Sequence, residues 1–375
     1  MLRQQSQGNH LSIVCLIHSL SGGGAERVMA GLASRLSVRG HHVTLVTLDD
    51  ASNDRHELDS TVQRVSLNLV ANASGVFGKI RQVKRRHQHI AATIRQLEPD
   101  VVLSFCDRTN IDVLLSSSTA TPPVVVCERS DPAQQSLGWI WERVRKSIYC
   151  RAATVVALTE TAAMYLRPIS NRVVVIPSAI ERAEITSDRL TATNAKLIVG
   201  VGRLEHEKGF DRLLDAFATS TTADWRLVVY GEGSLRSELI TQAEQLGVAD
   251  RFELPGWTRP IQPSLAAATM FCLPSRYEGF PSALLEAMAL GVPVISVDCE
   301  SGPRQIVQDG VNGLLVDSSA DGLSKGIACY IDDPACREKL GQAGQSVADT
   351  FNWASMVDQF ETVLQAAAES RFVGR

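Results

Sequence analysis

Two glutamates bracket the entry to a helix in the stretch CLPSRYEGFPSALLEAMALG, with Glu278 in the loop after an apolar strand and Glu286 eight positions on. An ionised carboxylate repels phosphate, but it accepts hydrogen bonds from sugar hydroxyls. Paired acids across a strand–helix junction can therefore hold two sugar rings, a ribose and a transferred hexose. The backbone N–H groups of Gly279 and Phe280 are expected to face the hexose and a phosphate. A plainer reading makes Glu278 a helix cap and Glu286 an exposed helix residue.

Upstream, in VGVGRLEHEKGFDRLLDAF, Arg203 and Lys208 lie between a strand and a helix starting near Phe210. A strand-end arginine and a lysine flanking a helix N-terminus can neutralise a diphosphate from two sides. Alternatively, Glu205 and Glu207 pair with them as a solvated surface cluster. Near the start, HSLSGGGAERV places Gly22, Gly23 and Gly24 before a helix beginning near Ala25. Such glycines let backbone approach a phosphate at a helix N-terminus, or they form a flexible turn. Asp49 sits where an NAD ribose carboxylate would, but the glycine spacing is not G-x-G-x-x-G.

Strands ending in such loops must position these groups. The runs at 11–17, 42–48, 62–69, 100–105, 123–127 and 153–158 read as strands, with RVVVIPSAI at 172–180 beyond them. Helical patterns lie between most of them. After the polar stretch ERAEITSDRLTATN the alternation restarts, with strands at 196–202, 226–231, 251–254, 269–274 and 293–297. Continuous apolar strands alternating with helices predict parallel sheets covered on both faces. The expected α/β architecture is two facing Rossmann-like doubly wound domains with a cleft between them, spanning 1–176 and 177–351. A last helix within 352–375 is expected to pack back on the first domain.

The bulk numbers restrict the partners. The 375 residues carry a net charge of -4, yet residues 1–176 hold 20 Lys and Arg against 14 Asp and Glu. The rest holds 17 against 27, so the first part is the side expected to meet something anionic. No basic tail suggests nucleic acid. Eight scattered cysteines without C-x-x-C spacing indicate neither zinc nor a disulfide framework, and fit a reducing compartment. No signal-peptide pattern is read at the start, and no apolar run approaches the ~20 residues of a membrane span. The expected location is cytoplasmic, peripheral on the inner face of the cell membrane.

The Glu278-x7-Glu286 arrangement, GRLEHEKGF, YGEGSLRSEL, SGPRQIVQDGVNGLLV and HSLSGGGAERV together resemble the retaining glycosyltransferases of family 4, with the GT-B fold. GGGAERV with SGPR is similar to the branch that builds amylovoran-type exopolysaccharide and bacterial lipid-linked glycans. The resemblance implies that Arg203 and Lys208 bind the donor diphosphate and that Glu286 holds the ribose. It implies that Glu278 contacts the donor sugar and stabilises positive charge as the glycosidic bond loosens. Gly23 and Gly24 would give backbone donors to phosphate or acceptor, and Leu254, Pro255 and Gly256 would line the base pocket. Relatives carry a first-domain His near the sugar; here that loop reads VVVCERSDPAQQ, and Arg129 or Asp131 is the expected sugar or acceptor contact.

The implied reaction moves a hexose or N-acetylhexosamine from a nucleotide sugar, UDP-linked, to a glycan acceptor carried on a polyprenyl diphosphate. No Asp-x-Asp pair occurs, so no nucleotide-binding metal of that type and no other cofactor is expected. In segment 79–97, Ile80, Val83, Ile90, Ile94 and Leu97 form a stripe, with Lys79, Arg81, Lys84, Arg85, Arg86 and Arg95 on the other faces. This reads as a helix for an anionic membrane surface, or as one packed on the first sheet with solvated bases. Trp139 and Trp141 beside Arg143, Arg145 and Lys146 extend the membrane reading, with packing of the tryptophans in the core as the plainer alternative. The rival enzymes are a nucleotide-sugar epimerase of the same fold and an NAD-dependent epimerase or dehydrogenase, the latter weakened by the lack of a Tyr-x-x-x-Lys pair. A two-lobed solute-binding protein and a silent sugar-binding subunit are the non-enzymatic alternatives.

Overall fold

The computed structural model describes residues 10–69, 75–118, 121–182 and 195–373, in two compact units. Most of the polar stretch between the two runs of alternation lies outside the described residues. Unit one holds the residues up to Pro177 together with Ala354 onward; unit two is Ser178–Trp353.

In unit one the apolar runs become seven strands, β1 (Ser12–Ile17), β2 (His42–Thr47), β3 (Gln63–Ser66), β4 (Val101–Phe105), β5 (Val124–Cys127), β6 (Thr154–Ala157) and β7 (Val173–Val175). All pair in parallel, in the order β3-β2-β1-β4-β5-β6-β7. The chain leaves β1 toward β2 through α1 (Gly24–Val38) and leaves β4 toward β5 through α3 (Asp107–Ser116). Strand order thus reverses between β1 and β4, where side chains at the carboxyl ends face a crevice. Because β1 is central, Val14 and Leu16 on one face and Cys15 and Ile17 on the other are all buried, and the strand needs no polar alternation. The remaining helices of interest are α2 (Gly75–Leu97) and α4 (Trp139–Ile148). The C-terminal helix Trp353–Val373 joins this unit: Phe360 lies 6.0 Å from the Phe105 ring, and Glu361 pairs with Arg39 at 2.7 Å.

Unit two repeats the plan with six strands, β8 (Leu197–Val201), β9 (Arg226–Tyr230), β10 (Phe252–Gly256), β11 (Met270–Leu273), β12 (Val294–Val297) and β13 (Leu314–Val316). Its order, β10-β9-β8-β11-β12-β13, is that of unit one less one edge strand. Two details differ from the sequence expectation. β10 runs on through Leu254, Pro255 and Gly256, and β13 was not foreseen, because three half-buried residues leave too short a pattern.

Candidate active site

The loop after β8 folds by successive tight turns: Glu205 N–H donates to the Arg203 carbonyl and Lys208 N–H to the Glu205 carbonyl. Gly209 follows with φ 67° as N-cap of the helix Phe210–Ser220. A Cβ there would stand 2.2 Å from the Pro274 carbonyl oxygen, so only glycine lets this turn lie against the loop after β11. That second loop carries Glu278. Lys208 Nζ consequently sits 2.6 Å from Glu278 Oε1, and Ser275 Oγ donates to the same oxygen at 2.6 Å.

Two arginines hold the loops in this arrangement. Arg276 forks onto Asp211 at 2.9 and 2.6 Å, donates to the His206 carbonyl, and through its backbone N–H donates to the Glu207 carbonyl. Burial alone would raise the Asp211 carboxyl, but the Arg276 guanidinium outweighs it and the group is lowered. Arg212 donates to the Pro274 carbonyl and to Ser318, both at 2.7 Å. Neither arginine was singled out from sequence; the partners are distant in the chain and leave no local signature.

Glu278 is 7% exposed and Glu286 6% exposed, so neither is a solvated surface acid. Nor is Glu278 a cap: the N-cap of the helix Ser282–Ala289 is Pro281, and no side chain caps it. Gly302, with φ 86°, presses on this turn; its Cβ would meet Pro281 Cδ at 2.9 Å and Glu278 Cβ at 3.4 Å. The glycine of SGPR is thus required by close approach. The Phe280 ring turns into the interior of the unit, edge-on to Phe351 at 5.3 Å, leaving Gly279 and Phe280 only their backbone to offer.

Arg203 stands apart from the Lys208–Glu278 pair. Its side chain is 72% exposed and it bonds Glu207 at 2.7 Å, as the surface-cluster alternative proposed. Glu205 instead accepts from the Ser234 N–H and Oγ, and those bonds lower its carboxyl. At the end of β10, Arg236 donates to the Leu254 carbonyl at 2.6 Å and Gly231 N–H to the Gly256 carbonyl at 2.9 Å.

Unit one places its glycine loop differently from expectation. The Gly22 N–H donates to Glu26 Oε2 at 3.1 Å, and the Gly23 N–H is bonded to the same oxygen. A carboxylate of the chain's own helix therefore stands where a ligand phosphate was expected at Gly23, because Glu26 lies at the third helical position and reaches back to the N-cap. Gly24 is the first residue of α1. Burial would raise the Glu26 carboxyl, but hydrogen bonds from His18, Ser19 and Gly23 win and hold it at about 2. Asp49, the alternative ribose acid, accepts from Thr47 Oγ1 at 2.5 Å.

After β5, Asp131 is 2% exposed and accepts from the Ala133 N–H at 2.9 Å, which closes its own turn. The Arg129 guanidinium lies 5.1 Å from the Phe105 ring centre. Glu128, fully buried, accepts from the Tyr149 hydroxyl and faces Arg145 at 3.8 Å; burial first, then Asp107, pushes its carboxyl up to about 7. Arg145 is 1% exposed and also bonds Glu142, so it is not part of a basic face as the sequence suggested. Trp141 lies under Arg108 at 3.5 Å, whereas Trp139 is 78% exposed. In α2, Ile90 and Ile94 are in the core and Arg86 bonds buried Asp112, but Ile80 is 61% exposed. Among the described residues no helix is long and apolar enough to cross a membrane, and no group of three or more His, Cys, Asp or Glu is placed to hold a metal.

Two α/β units, each with a parallel sheet of the same strand order, give the chain the architecture of the GT-B class. Comparison with known proteins gives the family. A model described as "Glycosyl transferase 4-like domain" matches residues 23–179, and one described as "Glycosyl transferases group 1" matches residues 181–347. The chain belongs to the family 4 glycosyltransferases and is related to those of amylovoran and lipopolysaccharide biosynthesis. It is 25% identical over 88% of its length to a Campylobacter jejuni enzyme, GalNAc-alpha-(1->4)-GalNAc-alpha-(1->3)-diNAcBac-PP-undecaprenol alpha-1,4-N-acetyl-D-galactosaminyltransferase, covering 91% of that relative. It is 26% identical over 83% of its length to the amylovoran biosynthesis glycosyltransferase AmsD of Erwinia amylovora, covering 87% of it. Among solved structures, Anabaena HepE in complex with UDP and glucose superposes with a TM-score of 0.77 at 20% identity, over 95% of this chain and all (100%) of that one. The dehydrogenase and solute-binding readings fall with this result.

Proposed function

We propose that this glycosyltransferase retains anomeric configuration and moves a hexose or N-acetylhexosamine from a UDP-sugar to a lipid-linked glycan acceptor in cell-surface polysaccharide assembly. The observation that carries the reading is the Lys208–Glu278 pair at the start of the Phe210–Ser220 helix, whose N-terminus no side chain caps. In the resting chain Glu278 balances the charge of Lys208. A donor diphosphate over that helix end draws on Lys208, on the positive end of the helix and on Arg203, which is exposed enough to swing toward it.

Glu278, still held by Ser275, then accepts from hydroxyls of the donor sugar, and Glu286 does the same for the ribose. Gly279 and Phe280 present backbone N–H groups, and Leu254, Pro255 and Gly256 border the base. As the glycosidic bond loosens, positive charge grows on the sugar beside Glu278 and negative charge on the leaving diphosphate beside Lys208. Groups fixed in advance toward developing charge contribute about 3 kcal/mol each. The diphosphate takes the acceptor's proton, so substitution proceeds on one face.

The lipid-linked acceptor is supported by the undecaprenol-bearing substrate in the Campylobacter relative's name and by exposed Arg81, Lys84 and Arg85 on α2 with exposed Trp139, Arg143 and Lys146 on α4. Unit one is then the acceptor side, attached peripherally to an anionic membrane at the cytoplasmic face. Screening nucleotide sugars for binding and slow hydrolysis by the purified chain tests the donor reading; activity with none refutes it. Co-sedimentation with anionic liposomes should be strong and should weaken with salt.

A further inference from the structure

His18 immediately follows β1, at the reversal of strand order in unit one. Its carbonyl oxygen accepts from the Leu48 and Asp49 N–H groups at 3.1 and 3.2 Å, so the backbone there is pinned to the end of β2. Its Nε2 lies 3.0 Å from Glu26 Oε1. Glu26 is also held by Ser19 Oγ, Ser21 Oγ and the Gly22 and Gly23 N–H groups, and its side chain is 5% exposed against 51% for His18.

An ionised carboxylate only accepts hydrogen bonds, so the nitrogen facing it carries the hydrogen. In the neutral ring Nδ1 is then the acceptor, and among the described residues it has no partner. Across the reversal point, at the end of β4, Asp107 begins α3, where its carboxyl accepts from the Arg108 N–H and is acted on by the Arg145 and Arg108 guanidiniums. Burial raises its carboxyl above the ordinary range. Half-exposed His18 therefore offers an acceptor nitrogen at the reversal point, with the Glu26 charge behind it. Phosphate is disfavoured there, and uncharged hydroxyl donors are favoured.

We infer that His18 is a substrate-contacting residue whose Nδ1 accepts a hydrogen bond from a hydroxyl of a neutral sugar ring, with Glu26 as the positioning residue that fixes its tautomer. This extends the acceptor side beyond Arg129 and Asp131, and it rests on the glycosyl-transfer reading only for the identity of the step served.

The test uses the full chain with nitrogen-labelled histidine, titrated with the methyl glycosides of glucose, galactose, N-acetylglucosamine and N-acetylgalactosamine. The His18 Nδ1 resonance should move with at least one glycoside while Nε2 stays in the protonated range. Saturation transfer to that glycoside should fall about tenfold in His18→Ala, the size expected for one hydrogen bond. His18→Asn, whose amide oxygen falls near the Nδ1 position, should retain more than His18→Gln. Undiminished transfer in His18→Ala overturns the inference, as does a silent Nδ1 with all four glycosides. A parallel titration with UDP separates it from the donor reading: UDP should bind and leave His18 unmoved, and a His18 response to UDP alone refutes the assignment to neutral sugars.

Discussion

The two units share one strand order and differ in what fills the first strand–helix turn. In unit one the turn after β1 is closed from inside by Glu26, whose carboxylate consumes the N–H groups of Gly22 and Gly23. In unit two the turn after β8 leaves the N-terminus of the Phe210–Ser220 helix without a side-chain cap and adds Lys208 beside it. The same architecture thus buries a lone carboxylate in one turn and carries a lysine–glutamate pair beside the other. In the proposed reading the ligand class is set not by the shared fold but by a glutamate at the third helical position in one unit and a lysine just before the helix in the other.

The largest test removes the positive member. Lys208→Ala should lower turnover by orders of magnitude, since a fixed cation on a leaving diphosphate is worth about 3 kcal/mol or more. The sheet should survive, because Ser275 still bonds Glu278, and circular dichroism would check it. An unchanged rate would abolish the contrast between the units.

Removing the negative member should act on stability. Glu26 is held at about 2 against 4.5 when unperturbed, a lowered group whose stabilisation is complete above pH 4.5 and lost as pH falls toward 2. The difference corresponds to about 3 kcal/mol. Glu26→Gln should lower the stability of unit one by about that amount at neutral pH and flatten its acid unfolding limb between those values. Urea denaturation across pH measures both.

Much of this contrast was open to reading in the chain, and the rest was closed for identifiable reasons. The inner strands are near-continuous runs of Val, Ile and Leu, so they announce themselves; β13, of three residues, does not. Lys208 and Glu278 were reached through motif spacing and family resemblance. Glu26 carried a usable signal, a glutamate three positions after Gly23, but the glycines drew attention to an external anion instead. Arg145 looked basic and exposed because its partner Glu128 arrives from the end of β5, and no periodicity within α4 encodes that. The Arg276–Asp211 pair, 65 residues apart, is likewise visible only once two loops meet.

Exposure separates Arg203 from Lys208. With its side chain 72% exposed and paired to Glu207, it sits in water that screens its charge. Arg203→Ala should cost about tenfold in donor affinity, well short of the Lys208 effect, since exposed charge contributes about 1 kcal/mol. Equal losses for the two substitutions, measured by calorimetric titration with UDP, would mean that Arg203 is drawn into the site as fully as Lys208.

The smallest effect concerns how the turns are held. Unit one locks its loop with a buried carboxylate, whereas unit two ties loops from two strands together with Arg276, its side chain 25% exposed and forked onto Asp211. Arg276→Lys keeps the charge and loses the second bond of the fork and the reach to the His206 carbonyl. Stability should fall by less than about 1 kcal/mol, because the pair is partly solvated. The Lys208–Glu278 alignment depends on that tie, so turnover should fall several-fold while UDP affinity holds. A loss confined to melting temperature would reduce Arg276 to scaffolding, with no part in the proposed transfer.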